Sequence, residues 1–267
     1  MTPPGIGRRA LFWLSGALTV GVFAVPILVV AARGLTSESA LKTAAGSAFV
    51  RATPSGTRIE ARQLVDLVSL WREFHLVKAA LAVLLVLALA RLVAVLSRQP
   101  CGQGARPPRR AERVAFGGVL AWMLVALTIA LANLQGAVAP LASVSSLIPP
   151  PHPSSELGAV LGELRRAVQI DPTAPAGLAG DLLIDFTRYH ATLAILATVV
   201  GAALIVLALR AVVDGWRRRR GAAAPGTWPW QLGLCGGAGA FFLVVAAANA
   251  STWLNPAPAL VASLGGG

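Results

Sequence analysis

Two histidines and two asparagines stand at matching places in this chain, and they are the side chains best suited to chemistry. His75, in WREFHLVKAAL, and His190, in FTRYHATLAIL, each follow an aromatic residue and open an apolar run. Asn133 and Asn249 each end a long apolar run and stand seven residues before a proline. Imidazole can ligate a metal or a haem and can transfer protons. An amide can line a substrate entrance, cap a helix or bond across helices. These four residues are the candidate site.

The two histidines fit either a pair of ligands or a pair of structural residues at a helix entrance. Zinc prefers three or four ligands, and a haem held between helices needs deeper ligands with room around them. Asp66 and Asp181 each precede a histidine by nine residues, which on a helix is half a turn out of phase and about 13 Å along the axis. They cannot share an ion with that histidine, and Asp181, after Gly180, is predicted to be a helix N-cap. We therefore predict structural histidines, no metal and no cofactor, with haem or metal ligation by His75 and His190 as the alternative.

Catalytic motifs are not found in the sequence. It contains no nucleophile–base arrangement, no HExxH zinc signature, no Walker motif and no Rossmann fingerprint. Cys101 and Cys235 do not form a CxxC motif and are predicted to lie at different depths, so no disulfide is expected. The sequence therefore predicts no catalytic residues and a protein that is not an enzyme.

The elements that must position the candidate residues are membrane helices. Hydrophobic residues make up 56% of the chain and charged residues 13%, with a mean hydropathy of +0.70. This composition is too apolar for a small soluble globule. A helix needs about 20 apolar residues to cross the hydrocarbon. The first apolar stretch is longer than the apolar part of a signal peptide, so we expect a retained helix. Five stretches can cross the bilayer: 10–32, 75–96, 114–133, 191–209 and 229–253.

Glycines within the apolar stretches predict where helices approach each other. Gly233 and Gly237 have the GxxxG spacing, and Gly117 and Gly118 stand together in the third stretch. Because glycine allows two backbones to come close, these positions are predicted helix contacts. Their place inside apolar spans excludes a phosphate-binding loop.

Basic residues are distributed unevenly between the predicted loops. With the N-terminus in the cytoplasm, the inner segments hold thirteen of the 23 Lys and Arg residues but only two of the eleven Asp and Glu residues. This asymmetry predicts a plasma-membrane protein with a cytoplasmic N-terminus and an external C-terminus. The RRRR run at 217–220 fits a topology anchor that meets anionic lipid headgroups. No nucleic-acid binding is predicted.

The sequence also contains a candidate internal repeat. Each repeat consists of an outer helix, a crossing helix, a basic inner loop, a second crossing helix and a Pro-containing outer tail. Because both repeats start on the same side, they predict two parallel hairpins related by a pseudo-twofold axis along the membrane normal. Shifts of 115 residues for the first four pairs and 116 for the last two give these matches: Asp66 with Asp181, Trp71 with Phe186, Phe74 with Tyr189, His75 with His190, Asn133 with Asn249, and Pro140 with Pro256.

Two segments between the spans predict structure outside the bilayer. SAFVRATPSGTRIEARQ, at 47–63, alternates around a Pro-Ser-Gly turn and predicts a small β-hairpin. SSELGAVLGELRRAVQI, at 154–170, is apolar at helical spacing and predicts an amphipathic helix with Ser154 or Ser155 as N-cap. We hypothesise that the outer amphipathic segments bind a partner protein or lipid headgroups.

The predicted fold is an all-α integral membrane protein with five transmembrane helices. One N-terminal helix precedes two duplicated helical hairpins, and small amphipathic helices lie on the outer side. The predicted segments are an N-terminal transmembrane helix at 1–33, an outer segment at 34–59, a first repeat at 60–148, an outer Pro-rich and amphipathic segment at 149–177, and a second repeat at 178–267.

The motifs FH-x-x-K-A at 74–79 and AN-x(6)-P at 132–140 accompany an Arg- and Ala-rich composition. In these features the whole chain resembles uncharacterised multi-pass membrane proteins of high-GC actinobacteria, a resemblance that implies no particular activity. The sequence predicts a non-enzymatic scaffold or accessory subunit of an envelope complex that acts through its outer face. The expected partners are the lipid bilayer and an envelope protein or a second copy of the chain. A transporter or a small-molecule or lipid carrier is one alternative, and a bis-histidine haem or metal protein is the other.

Overall fold

The computed structural model describes residues 7–52, 58–97, 110–148, 152, 154–219 and 229–265. Over these residues the fold is all helical, as predicted, and has no strand. The helices of the described residues are α1 (Arg8–Ala31), α2 (Glu38–Arg51), α3 (Arg58–Ser97), α4 (Arg110–Val138), α5 (Pro140–Ser145), α6 (Glu156–Ile170), α7 (Leu178–Arg219), α8 (Pro229–Leu254) and α9 (Pro256–Ser263).

Helices α1, α3, α4, α7 and α8 are long and apolar enough to cross a membrane, which confirms the five predicted spans and a membrane-embedded protein. Only 17% to 33% of the residues in their most apolar windows are buried inside the protein, which leaves a wide apolar surface for lipid. Helices α3 and α7 have 40 and 42 residues. At 1.5 Å per residue each is about 60 Å long, twice the thickness of the hydrocarbon. The predicted outer and crossing helices of each repeat are therefore one continuous helix, and neither contains a proline.

The predicted β-hairpin at 47–63 is wrong. Its first part lies in α2, whose N-cap Ser37 accepts a hydrogen bond from the backbone N–H of Ala40 at 3.1 Å. Leu41, Ala45 and Phe49 are buried at helical spacing, so burial of one helix face outweighs the local alternation of side chains. The Pro-Ser-Gly turn of the predicted hairpin lies outside the described residues.

The chain divides into two compact units, of which the first, here called the span unit, comprises 1–23, 79–131 and 195–246. Apolar side chains of α1, α3 and α4 form one of its cores. The Trp122 indole N–H donates to Thr19 Oγ1 at 3.1 Å, a polar bond between α4 and α1 within this unit. The fully or nearly fully buried members of the core are Val22, Ala82, Leu85, Leu89, Ala126 and Ala130.

Helices α7 and α8 approach each other through a different pair of glycines from those predicted. A methyl group on Gly201 would lie 3.0 Å from the carbonyl oxygen of Gly239, so the two backbones are nearly in contact. A methyl group on Gly239 would lie 2.9 Å from the Ile205 side chain. Gly233 and Gly237 face open space, since a methyl group on either would have no neighbouring atom within 4 Å. Their GxxxG spacing is real, but it lies on a face of α8 that α7 does not contact.

The second unit, here called the His–Asn unit, comprises 24–78, 132–194 and 247–267. Its hydrophobic core draws on α2, α5, α6, α9 and the N-terminal parts of α3 and α7. Helix α6 starts after Ser155, whose hydroxyl accepts the Gly158 N–H at 3.0 Å, which confirms Ser155 as the N-cap. The apolar face of α6 is buried against this core, with α2 and α9 as its neighbours, and is not free to bind a partner. Its buried residues are Val160, Leu161, Leu164 and Val168.

The turn between α6 and α7 is organised by Asp171. Its Oδ1 accepts hydrogen bonds from the N–H of Ala174 at 3.0 Å and from the N–H and hydroxyl of Thr173. These donors hold the pKa of the Asp171 carboxyl below its usual value. The support that the ionised group gives to the turn is therefore present at neutral pH and is lost as the pH falls through that lowered pKa.

The start of α7 corrects the prediction for Asp181. The helix begins at Leu178, so Asp181 lies in its first turn and is not the N-cap. Gly177 has a left-handed backbone with φ of +61°. Gly180 lies so close to the carbonyl oxygen of Pro175 that any side chain there would overlap it. Because Gly180 has no side chain, the backbone at Pro175 can pass close to it. Helix α7 therefore starts before Asp181, its first acidic residue.

Candidate functional site

The two candidate asparagines lie inside helices and not at their ends. Asn133 is five residues before the end of α4, and Asn249 is five residues before the end of α8. Pro140 and Pro256 occupy the first position of α5 and α9, where a missing N–H costs nothing. Each asparagine bonds across to a histidine on another helix, which is one of the two structural roles expected for it.

The first histidine is part of a closed hydrogen-bond network. Its Nδ1 lies 2.9 Å from Asn133 Oδ1, and because that oxygen can only accept, Nδ1 carries the proton. The Nε2 of His75 then accepts from the hydroxyl of Ser143 at 3.0 Å. The Ser143 oxygen in turn accepts the indole N–H of Trp71 at 3.0 Å. Asn133 and Ser143 are each only 6% exposed. Both ring nitrogens of His75 are therefore engaged inside the protein.

Gly136 makes room for the first network. A methyl group at this position would lie 2.6 Å from His75 Nε2, so the imidazole rests directly on the backbone of α4. On α3, Trp71 stacks on Phe74 with ring centroids 4.6 Å apart, and His75 meets both rings edge-on. The aromatic residues before the histidine thus form one wall of its site, and α4 forms the other.

The second histidine repeats one bond of this network and lacks the others. His190 Nδ1 donates to Asn249 Oδ1 at 2.8 Å. Phe186 and Tyr189 meet the His190 ring edge-on, with centroids 4.5 Å and 5.5 Å away. Within the described part of the chain, neither His190 Nε2 nor the Tyr189 hydroxyl has a hydrogen-bond partner. The second pair is held at one ring nitrogen and open at the other.

Two further polar residues, which the sequence did not single out, join α4 and α5 to α7 within the His–Asn unit. The amide of Gln135, only 3% exposed, donates to the carbonyl oxygen of Tyr189 at 3.1 Å. Asp185 Oδ2 accepts the N–H of Ala142, in the first turn of α5, at 3.0 Å. The signal for Gln135 is a lone polar residue between apolar neighbours. Asp185, between Ile184 and Phe186, carries the same signal, whereas Ser143 carries none.

The remaining candidates do not add to the site. Asp66 is exposed on α3, and no hydrogen bond joins His75 to His190 in the part of the chain described. The ammonium group of Lys78 lies over the Phe74 ring, 5.4 Å from its centroid. Among the described residues, no three His, Cys, Asp or Glu side chains lie close enough together to hold a metal ion.

The geometry thus offers one histidine with both nitrogens bonded and one histidine with an open acceptor. The open nitrogen can accept a hydrogen bond from a ligand, since the bond to Asn249 fixes the proton on the other nitrogen. Comparison of the chain with protein-family models, with curated proteins and with solved structures finds no match.

Proposed function

We propose that this protein is a non-enzymatic scaffold or accessory subunit of an envelope complex, embedded in the plasma membrane and acting through its outer face. The observation that supports this role is the use of the polar side chains. Those of Trp71, Asn133, Gln135 and Ser143 bond to other parts of the same protein. Such bonds rigidify the unit that would carry a contact surface, whereas a catalytic site would leave reactive groups directed at a substrate.

The two hairpins are proposed to be duplicates related by a pseudo-twofold axis along the membrane normal. Matching bonds support the duplication: His75 with Asn133 in one hairpin, and His190 with Asn249 in the other. In both hairpins the second crossing helix is followed by a short helix that begins with proline. A common origin would produce this set of matching contacts without any functional constraint.

The proposed orientation places the N-terminus in the cytoplasm and the C-terminus outside. The excess of basic residues in the predicted inner loops supports it. The side chains of most of these loop residues lie outside the described part of the chain, so the support comes from the sequence.

The proposed contact surface is the exposed side of α6. Since the apolar side of α6 lies in the core, a partner would meet its other face. Glu163, Arg166 and Ile170 are exposed there at spacings of three and four residues, which places them on one side of the helix. Ile170 is 84% exposed and offers an apolar contact beside two opposite charges.

Site-specific photocross-linking in cells tests this role. A photoreactive residue at Arg166 should give a discrete protein adduct, and the same residue at the buried Val168 is the matched control. The mass of the adduct distinguishes an envelope protein from a second copy of the chain. The Glu163→Lys variant should abolish the adduct while leaving the core intact. An adduct that is equally strong at both positions, or none at Arg166, would argue against a partner on this face.

A lipid or small-molecule carrier is the second candidate, and the open nitrogen of His190 favours it. Haem ligation between His75 and His190 has less support, because Ser143 already occupies Nε2 of His75. A Soret band after haem-supplemented expression that disappears in His190→Ala would reverse that preference.

A further inference from the structure

The two proposed hairpins differ at the positions that surround their histidines. In the first hairpin these positions close the network around His75. In the second hairpin, the serine that donates to the second ring nitrogen is replaced by alanine, and hydroxyl groups stand at two positions where the first hairpin has none. The replacements are Phe186 for Trp71, Tyr189 for Phe74, Thr252 for Gly136 and Ala259 for Ser143.

The loss of the serine hydroxyl leaves His190 with an unused acceptor. Every buried side-chain nitrogen or oxygen among the described residues has a hydrogen-bond partner. His190 bonds there through Nδ1 alone, so its Nε2 reaches the surface of the protein. At Gly136 a side chain would collide with the histidine ring. Thr252 stands at the matching position of α8, so we do not expect the His190 ring to rest on α8 as His75 rests on α4. The site is open because of these residues.

Tyr189 adds a second open group beside the first. Its ring meets the His190 ring edge-on, and its hydroxyl, which can both donate and accept, has no partner in the part of the protein described. Because every buried side-chain oxygen among the described residues has a partner and this hydroxyl has none, it also reaches the surface. Phe74, at the matching position of the first hairpin, has no hydroxyl. An acceptor and a donor therefore lie on neighbouring residues of α7, whose rings are in contact.

Aromatic rings lie beside these two groups, and the charged residues nearest to them on α7, Asp185 and Arg188, carry opposite charges that offset each other. Phe186 packs on His190 from the same helix. Trp253, near the end of α8, is 40% exposed, whereas Ala137 at the matching position of α4 is 4% exposed. Leu193 stands where the first hairpin has Lys78. Aromatic faces beside neutral donors and acceptors suit a ligand with many hydroxyl groups and no charge, because the rings cover its apolar C–H faces.

We propose that His190 and Tyr189 form a binding site for the sugar headgroup of a neutral glycolipid. A hydroxyl of the sugar donates to His190 Nε2, in the place that the Ser143 hydroxyl occupies in the first hairpin, and Tyr189 bonds a second hydroxyl. Both residues lie in the first third of α7, and Trp253 is the last residue but one of α8. Side chains near the ends of spanning helices meet the headgroup region. The site goes beyond the proposed scaffold role and does not require it.

Native mass spectrometry of the full-length protein released from phosphatidylcholine nanodiscs tests the site. The probes are a monoglucosyl diacylglycerol and the same diacylglycerol without sugar, with soluble methyl glucoside as competitor. The protein should retain the glycolipid in preference to diacylglycerol. Tyr189→Phe and His190→Phe should each weaken its retention about five- to tenfold, as expected for one lost hydrogen bond. Thr128→Val, which changes an exposed residue of α4, should leave retention unchanged.

A variant that closes the site provides the second measurement. Ala259→Ser combined with Thr252→Gly introduces the residues of the first hairpin, so His190 gains a hydrogen-bond donor inside the protein. Glycolipid retention should fall, and the melting temperature should not decrease. Equal retention of glycolipid and diacylglycerol, or unchanged glycolipid retention in His190→Phe, would overturn the site. If methyl glucoside bound as tightly as the glycolipid, the site would recognise a soluble sugar and the proposal of a membrane glycolipid as the ligand would be wrong. None of these outcomes depends on whether α6 binds a partner protein.

Discussion

His75 shows how a residue common in binding sites becomes a structural one. Its two ring nitrogens are satisfied by Asn133 and Ser143, and its ring lies against the backbone at Gly136. Removing either partner would leave a polar atom without a bond in a mostly buried place, which costs about 1–3 kcal/mol. The histidine is therefore held by its neighbours and holds α3, α4 and α5 together within the His–Asn unit.

Gly136→Ala should destabilise the protein by about 2–3 kcal/mol. The new methyl group meets the imidazole of His75 and pushes it away from Ser143, so overpacking and a lost hydrogen bond act together. Unfolding in a denaturing detergent titration, followed by tryptophan fluorescence, measures the change. Gly118→Ala is the matched control in the same helix, because open space surrounds it, and it should be neutral or stabilising by up to about 1 kcal/mol. Equal effects of the two substitutions would contradict the packing of His75 on α4.

At the scale of helices, close contact in this protein is decided by which face of a helix meets its neighbour. Gly201 and Gly239 bring α7 and α8 together, while the more conspicuous Gly233 and Gly237 face open space. In a bilayer such contacts depend on van der Waals packing, because lipid removes the hydrophobic difference between the inside and the outside of a bundle. A glycine motif alone therefore does not identify a contact.

Gly239→Val should separate α7 from α8 and lower stability by about 1–3 kcal/mol. Its side chain would have to displace Ile205 and enter the space beside the backbone of Gly201. Gly237→Val, two residues away and facing outward, adds the same atoms without a clash and serves as the control. Thermal unfolding in mild detergent separates the two variants. If Gly237→Val proved the more damaging, the assignment of the helix contact would be wrong.

The whole molecule combines two kinds of packing in two compact units. The span unit has cores of small and aliphatic residues such as Ala82 and Ala126, and much of its remaining surface is apolar. The His–Asn unit has a larger core fed by short amphipathic helices, and its surface carries charges such as Glu163 and Arg166. Such a difference is expected where an apolar surface meets lipid and charged helices meet water.

Cysteine labelling tests the proposed orientation of the chain. In a Cys101→Ser and Cys235→Ser background, Glu163→Cys should react with a membrane-impermeant maleimide in intact cells. Asp214→Cys should react only after the membrane is permeabilised, because it lies near the predicted inner end of α7. Glu163 and Asp214 are both exposed, so replacing them with cysteine leaves the core unchanged. The reverse pattern would place the N-terminus outside the cell.

How far the sequence predicts this structure depends on how local each signal is. The spans were predictable because any stretch of about 20 apolar residues must leave water, whatever its neighbours are. The matching of His75 with His190 and of Asn133 with Asn249 was visible as spacing, and so was the N-cap at Ser155. The hairpin prediction failed because the alternation around residue 54 was weaker than the helical burial of Leu41, Ala45 and Phe49.

The sequence by itself determined a membrane protein with five spanning helices, since that follows from the solvation of each segment separately. Only the tertiary structure decided that His75 is closed by Ser143 while His190 stays open at Nε2. It also decided that α6 turns its apolar face into a core and that Gly239, not Gly237, meets α7. These outcomes depend on which distant residues share a space. A hydrogen bond across 68 residues, or a methyl group that does not fit, has no counterpart in the local pattern of the chain.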